Sequence, residues 1–430
     1  MDKKTLSLKR EGILKRVSYA LFFASCGVFL SLQLICFIGE AINLKDVISH
    51  DVIFLISALL ALSGCAVSLA EKITEQREKR FESRRKVSIE VVFLLLALFW
   101  SFIATIFASR QDIVWFGNSY NKEGFFSILG YGAIAVSAYM IKNEDRKKLI
   151  KLFVLTSVIP ASYLLFVNVF SLKSVISPTH SIYRNSNHYG YALCVLSVVS
   201  AGLMIYEKKG WQKVLYGYCF TVLNANLLVS DCFGAHLGQI VGLVCLIVIR
   251  LIEAKKLVPT ILFLVGLMAI STTILEVTKI TNIGDDYKSL FSDVSDITSG
   301  GASGGEGSHR YGLWEETIEV IKKAPFFGKG LDCYFSNNDL AKIDMPHNEY
   351  LQIASNVGVP VLLFYLAFLV TVYIKAIRER AKLFDTQKVA LVGGVGYLFS
   401  AFFGNTFLYT YPILIIMIAF GIKRSEKCSK

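Results

Sequence analysis

The chain has 430 residues, of which 54% are hydrophobic and 18% charged, with a net charge of +12 and a mean hydropathy of +0.53. Water-soluble domains carry about a quarter charged residues, so this composition argues against an ordinary soluble enzyme. Nine cysteines are scattered without a CxxC pair, a spacing that offers no zinc or dithiol site.

The first sixteen residues, MDKKTLSLKREGILKR, are basic, and the apolar run behind them is full length with no small-residue cleavage site. It reads as a membrane span and not as a removed signal. Apolar runs then recur over 17–38, 51–70, 89–108, 124–141, 149–170, 189–206, 214–230, 233–251, 257–275, 358–374, 389–405 and 407–422. Each is long enough to cross a bilayer as a helix, and lipid obliges the backbone to satisfy itself inside helices. The expected fold class is an all-α polytopic membrane protein with about 12 transmembrane helices. With the N-terminus in the cytoplasm, 33 of the 45 Lys and Arg residues fall on inner segments, a positive-inside pattern. That bias explains the basic balance with no nucleic acid as partner. EKITEQREKRFESRRK reads as a solvated cytoplasmic loop.

The spans divide the chain into 1–275 with nine helices, a large extracytoplasmic loop over 276–357, and 358–430 with three helices and a cytoplasmic tail. Polar residues gather at three places. THSIYRNSNHYGYAL brings Arg184, Asn185, Asn187 and His188 to the opening of the sixth span. Such density exceeds what a turn needs, although Asn and Ser also suit turns. NANLLVSDCFGAHLGQIVG carries Asn224, Asn226, Ser230, Asp231, His236 and Gln239 around the seventh and eighth spans. Polar groups at membrane depth face a wet cavity or bond between helices, and both readings fit here. Cys232 in this stretch and Cys333 in the long loop both fall on the outer side, which would allow them to pair.

The third place is the long loop. TSGGASGGEGS is a flexible linker. SHRYGLWEETIEVIKKAPFFGKG then predicts an amphipathic helix with Ser308 as N-cap, an apolar face of Leu313, Thr317, Ile318 and Ile321, and a stop at Pro325 and Gly328. Arg310 and Trp314 share one face of it, and Arg310 is the only arginine of the loop. A guanidinium suits phosphate oxygens, or lies at lipid headgroups. In DMPHNEYLQIASNVGVP a second helix is expected near His347. A neutral histidine takes a proton from a hydroxyl; it also caps helices. Asn348 and Glu349 follow, and Glu349 would orient the histidine, accept sugar hydroxyls or favour the helix dipole.

These stretches resemble the bacterial O-antigen ligase and polysaccharide polymerase superfamily of polytopic membrane glycosyltransferases. The resemblance rests on Arg310, Trp314 and the Pro–x–x–Gly–x–Gly of Pro325, Gly328 and Gly330. It continues with His347, Asn348, Leu351 and Gly358, and with the Asn–x–Asn of Asn185 and Asn187. It implies a metal-independent enzyme with no cofactor in the bacterial cytoplasmic (inner) membrane, its site facing the periplasm or cell exterior. The donor would be an oligosaccharide on undecaprenyl pyrophosphate among the membrane lipids, and the acceptor a second glycan. By the same resemblance His347 would activate the acceptor hydroxyl and Arg310 would hold the pyrophosphate, with Arg184, Asn185, Asn187, His188, Trp314, Asn348, Glu349 and His236 around the substrates. Two departures matter. Asn356 and Val357 stand where the family often has an acid, and SDCFGAHLG lacks the Ser-Arg-Gly that ligases often carry after the seventh span. The second departure shifts the expectation toward a polymerase over a ligase. A polysaccharide transporter or flippase is the rival of another class. It fits less well, because the long loop is outer and late, and no chain of membrane Lys, Arg or Glu marks a coupling-ion path.

Overall fold

The computed structural model describes residues 3–45, 47–78, 88–119, 121–170, 183, 185–230, 232–253, 258–277, 310–333, 345–405 and 407–422. No strand occurs among the described residues. The helices in chain order are α1 (Lys3–Leu30), α2 (Leu32–Ala41), α3 (His50–Glu78), α4 (Ile89–Phe107), α5 (Phe125–Met140), α6 (Asn143–Val169), α7 (Ser186–Tyr206) and α8 (Gly210–Val229). After them come α9 (Phe233–Glu253), α10 (Val258–Val277), α11 (Arg310–Lys323), α12 (Glu349–Val357), α13 (Val359–Arg378), α14 (Asp385–Ser400) and α15 (Tyr411–Gly421).

Among the described residues, seven helical segments are long and apolar enough to cross a membrane: Gly12–Leu30, His50–Ile73, Ile89–Phe107, Asn143–Val169, Ser186–Tyr206, Phe233–Glu253 and Val359–Arg378. Leu32–Ala41, Phe125–Met140, Ile261–Val277 and Tyr411–Gly421 are shorter apolar helices. Two predicted boundaries are corrected. The run 17–38 is broken at Ser31 into α1 and α2. The last two runs, expected to meet at a single residue, are separated because α14 stops at Ser400 and α15 starts at Tyr411. Apolar content does not show such breaks, since Phe402, Phe403, Phe407, Leu408 and Tyr409 are as apolar as the helices around them.

α7 forms the centre of the bundle. Within its apolar window 89% is buried, against 22% for α4, whose outer face is left to lipid. α7 packs on α8, α9 and α14. α9 and α14 approach backbone to backbone. A Cβ on Gly238 would collide with Ser400 Oγ and the Gly396 carbonyl, the small-residue contact that lets membrane helices pack closely.

The two ends of the bundle differ in chemistry. One end carries ion pairs between helix termini: Lys151 with Glu207 at 2.7 Å, Lys375 with Glu90 at 2.8 Å, and Lys388 with Glu253. There Arg146 is fully buried. It donates to the Tyr139 carbonyl at 2.8 Å, and to the Phe420 and Ile422 carbonyls at 2.9 and 2.8 Å. A cation thus satisfies the last carbonyls of α5 and α15. The other end is assembled from irregular backbone, the starts of α3, α5, α7 and α9, and the two short helices α11 and α12.

Candidate functional site

Two sequence motifs far apart in function-neutral terms form one unit of backbone. After α11 the chain reverses at Pro325, and Gly328 and Gly330 take φ of +65° and +110°. Lys329 N–H donates to the Ser355 carbonyl at 2.8 Å, Gly330 N–H to Asn356 at 2.9 Å, and Val359 N–H to Pro325 at 2.8 Å. The Pro–x–x–Gly–x–Gly turn therefore clasps the C-terminal end of α12. Gly358 closes the clasp at φ +95°, where a Cβ would run into the Phe326 carbonyl oxygen, and one on Gly328 would meet the Asn356 carbonyl. Only glycine combines that conformation with that approach.

The other end of α12 carries the histidine. Asn348 is its N-cap and accepts from the Tyr350 and Leu351 N–H groups, both at 3.0 Å. This capping uses the Asn348 side-chain oxygen. His347 precedes it at φ +47°, a left-handed conformation that costs a residue with a Cβ about 1 kcal/mol. Its neighbours hold it there. Trp314 Nε1 donates to the Pro346 carbonyl at 2.8 Å, which ties α11 to the residue before His347. The Asn405 amide lies 3.4 Å from His347 Nδ1.

Around His347 stands a group of aromatic and imidazole rings. His188 is buried and meets it electrostatically, as it does His50. Its Nδ1 is 2.6 Å from the Tyr409 hydroxyl, and its ring lies 3.9 Å from that of Phe407. Tyr409 also packs on His50 at 5.1 Å. Tyr191 stands 6.4 Å from His188 and feels the charge of Arg310. Arg310 on α11 and His347 before α12 thus each act electrostatically on one ring of this group, Tyr191 and His188 respectively.

The remaining predicted residues divide. Asn185 caps α7, accepting from Asn187 N–H at 2.8 Å. Arg184, Asp231 and Ser308 lie outside the described residues. His236 is buried in the first turn of α9, beside the Leu227 backbone. Glu349 is 1% exposed and receives the Tyr365 hydroxyl at 3.4 Å, so it faces the bundle. No disulfide joins Cys232 and Cys333. In α11 the buried side is Thr317 and Val320, while Ile318 is 41% exposed. The face is rotated from the predicted one because Trp314 anchors the helix on Pro346.

Several site residues carry no motif. Asp332, two residues past the last motif glycine, adopts φ +60°. It accepts from Asn118 N–H at 2.6 Å, Asn121 Nδ2 at 2.8 Å and Glu123 N–H at 3.3 Å. This pins the loop between α4 and α5 beneath the clasp. Glu123 accepts from Tyr131 at 2.6 and 2.8 Å. Burial raises the Glu123 carboxyl well above the usual range, and the Asp332 and Glu349 carboxylates add to this against the Tyr131 hydrogen bond. Asp332 is raised too, chiefly by burial. Asn405, Phe407 and Tyr409 come from the stretch read as membrane span. The only sequence sign of these residues was proximity of Asp332 to the glycine motif.

Residues 218–366 match the family model described as O-antigen ligase. That range runs from α8 to the start of α13 and includes His236, Arg310, Trp314, His347, Asn348 and Glu349. An uncharacterized protein of Haemophilus influenzae is 24% identical over 305 residues, which are 67% of this chain and 71% of that protein. The family match supports membership in the O-antigen ligase and polysaccharide polymerase superfamily. Its several helices long and apolar enough to cross a membrane make the chain a multi-pass membrane protein, and the matched family implies a glycosyltransferase-like enzyme with a lipid-linked glycan substrate and a glycan acceptor.

Proposed function

We propose that this protein is a polysaccharide polymerase. It joins oligosaccharide repeat units carried on undecaprenyl pyrophosphate in the outer leaflet of the bacterial cytoplasmic membrane. In this reading the ion-paired end, with Arg146, faces the cytoplasm, all twelve apolar runs cross the membrane, and 276–357 is the extracytoplasmic part. A ligase that passes the glycan to lipid A core or another acceptor shares the same chemistry. The polymerase is favoured because no arginine stands in SDCFGAHLG after α8.

What supports the reading is that His347 and Arg310 act on two neighbouring rings, His188 and Tyr191, with the backbones of their two motifs clasped together. The chemistry is a displacement. His347 takes the proton of the acceptor hydroxyl, and the oxygen bonds to the anomeric carbon of the donor. The bond from that carbon to the pyrophosphate oxygen breaks, and its electron pair leaves with the lipid diphosphate. The leaving group is already good, so the protein must chiefly orient the partners and supply positive charge. Arg310 provides that charge as a planar fork. An apolar cleft lined by Pro325, Phe326, Val359, Pro360, Leu363 and Phe364 lies against the clasp. Its chemistry suits a prenyl chain, and Phe326 in it is 64% exposed.

The test is polymer formation from a purified lipid-linked repeat unit by the full chain in lipid nanodiscs. His347→Ala is expected to lower the rate about 10³-fold while the protein still reaches the membrane. A variant with normal rate and chain-length distribution ends the assignment. Labelling of Glu306→Cys in intact cells checks the orientation; labelling only after lysis puts the loop on the wrong side.

A further inference from the structure

Asn405 belongs to the irregular stretch between α14 and α15, and it is 4% exposed. Its amide nitrogen lies 3.4 Å from His347 Nδ1, and its Oδ1 is buried with no hydrogen-bond partner among the described residues. An amide and a neutral imidazole pair in two ways, because the two ends of an amide are alike in shape. If the NH₂ donates to Nδ1, the ring proton sits on Nε2 and the outer nitrogen has no lone pair to offer. If Oδ1 accepts from Nδ1–H, the lone pair is on Nε2. In the first orientation Oδ1 is left without a described partner, and the two orientations require different ring tautomers.

We propose that Asn405 is a positioning residue for His347. Its Oδ1 accepts from Nδ1–H and holds the neutral ring with a bare Nε2 toward the acceptor hydroxyl. This rests on His347 acting as the base. The backbone supports it: His347 at φ +47° is flanked by the Trp314 bond to the Pro346 carbonyl and by the Asn348 cap, and the Asn405 amide meets its ring. The ionisable groups that share the cluster are His188, His50, Tyr409, Arg310 and Glu349. None of them is a described hydrogen-bond partner of His347 Nδ1 as Asn405 is.

The experiment has two arms on the full chain in nanodiscs. The first is ¹⁵N NMR of protein labelled at the histidine ring nitrogens, with the His347 signals assigned by their loss in His347→Gln. The expected result is a protonated Nδ1 and a bare Nε2 in the parent protein, shifting to the Nε2-protonated form in Asn405→Ala. The second arm is the rate of polymer formation against pH. Asn405→Ala is expected to fall about 10²-fold, within the range of a general base's contribution. Asn405→Asp keeps the acceptor, so it retains the tautomer. Its carboxylate favours the imidazolium, so the acid limb of its pH profile moves to higher pH. A parent ring protonated at Nε2, or an Asn405→Ala protein with unchanged tautomer and pH profile, overturns the proposal. If His347→Ala keeps its activity, the base assignment itself falls, and the two failures remain distinct.

Discussion

Two polar regions of this protein looked alike in sequence and differ in structure. In the first, Gln239 Nε2 donates to Asn224 Oδ1 at 2.8 Å and to Ser197 at 2.9 Å. Asn224 Nδ2 donates to Ser271 at 2.8 Å, and Asn226 to the Ala161 carbonyl at 2.9 Å. The amides of α8 and α9 are satisfied by one another, by serines of α7 and α10 and by a carbonyl of α6, so this belt holds helices together. In the second, His347 is left-handed, His188 feels the charge of two other imidazoles, and Asn405 Oδ1 has no partner among the described residues. Polar groups at membrane depth become candidates for chemistry when the fold spends strain to hold them and does not spend their hydrogen bonds on each other.

That contrast can be broken or sharpened. The largest effect is expected at the clasp. Gly358→Ala puts a Cβ on the Phe326 carbonyl and should lower polymer formation about 10²-fold by displacing His347, with a stability loss of roughly 1–3 kcal/mol in thermal unfolding. An alanine variant as active as the parent would show that the clasp does not seat the histidine. Next, Arg310→Lys keeps the charge and loses the fork. About a 10²-fold loss in rate is expected at unchanged thermal stability, and a near-normal rate removes Arg310 from the site. The belt should respond in the opposite sense. Gln239→Ala should cost about 1 kcal/mol of stability, while the folded fraction keeps its rate within about threefold. A large loss of rate at intact stability would move the belt into the site.

The smallest effect concerns pH. The carboxyl of Glu123 is raised in the folded protein, so the folded state holds this proton more tightly than the unfolded chain. Its contribution is fully present below the ordinary carboxyl range and is lost as pH rises through the raised value. Asp332 acts in the same direction. Thermal stability measured against pH should therefore fall less steeply above the carboxyl range in Glu123→Gln than in the parent. Parallel curves would mean that Glu123 is already charged in the folded protein.

The helical nature of the chain was legible from composition and apolar runs, because lipid leaves the backbone few alternatives. The helix over 310–323 and the second one near His347 were legible from capping and spacing. Breaks inside apolar runs were not. Nothing in the apolar content of 401–410 separates irregular backbone from helix, yet that stretch brings Asn405 to His347 and Tyr409 to His188. The burial of Glu349 was equally hidden, since an acid in a first helical turn reads as dipole-compensating whichever way it points.

By itself the sequence determined the membrane class, the family resemblance and the pair Arg310 and His347 as candidates, because hydropathy, charge bias and motif spacing are local properties of the chain. Only the tertiary structure decided which polar groups meet. Glu123, Asp332 and the stretch holding Asn405 and Tyr409 come from separate parts of the chain, and contacts at such separation depend on how helices pack, which no local pattern encodes. The difference between a hydrogen-bonded belt and a strained cluster is likewise a matter of partners, and partners exist only once the chain has folded.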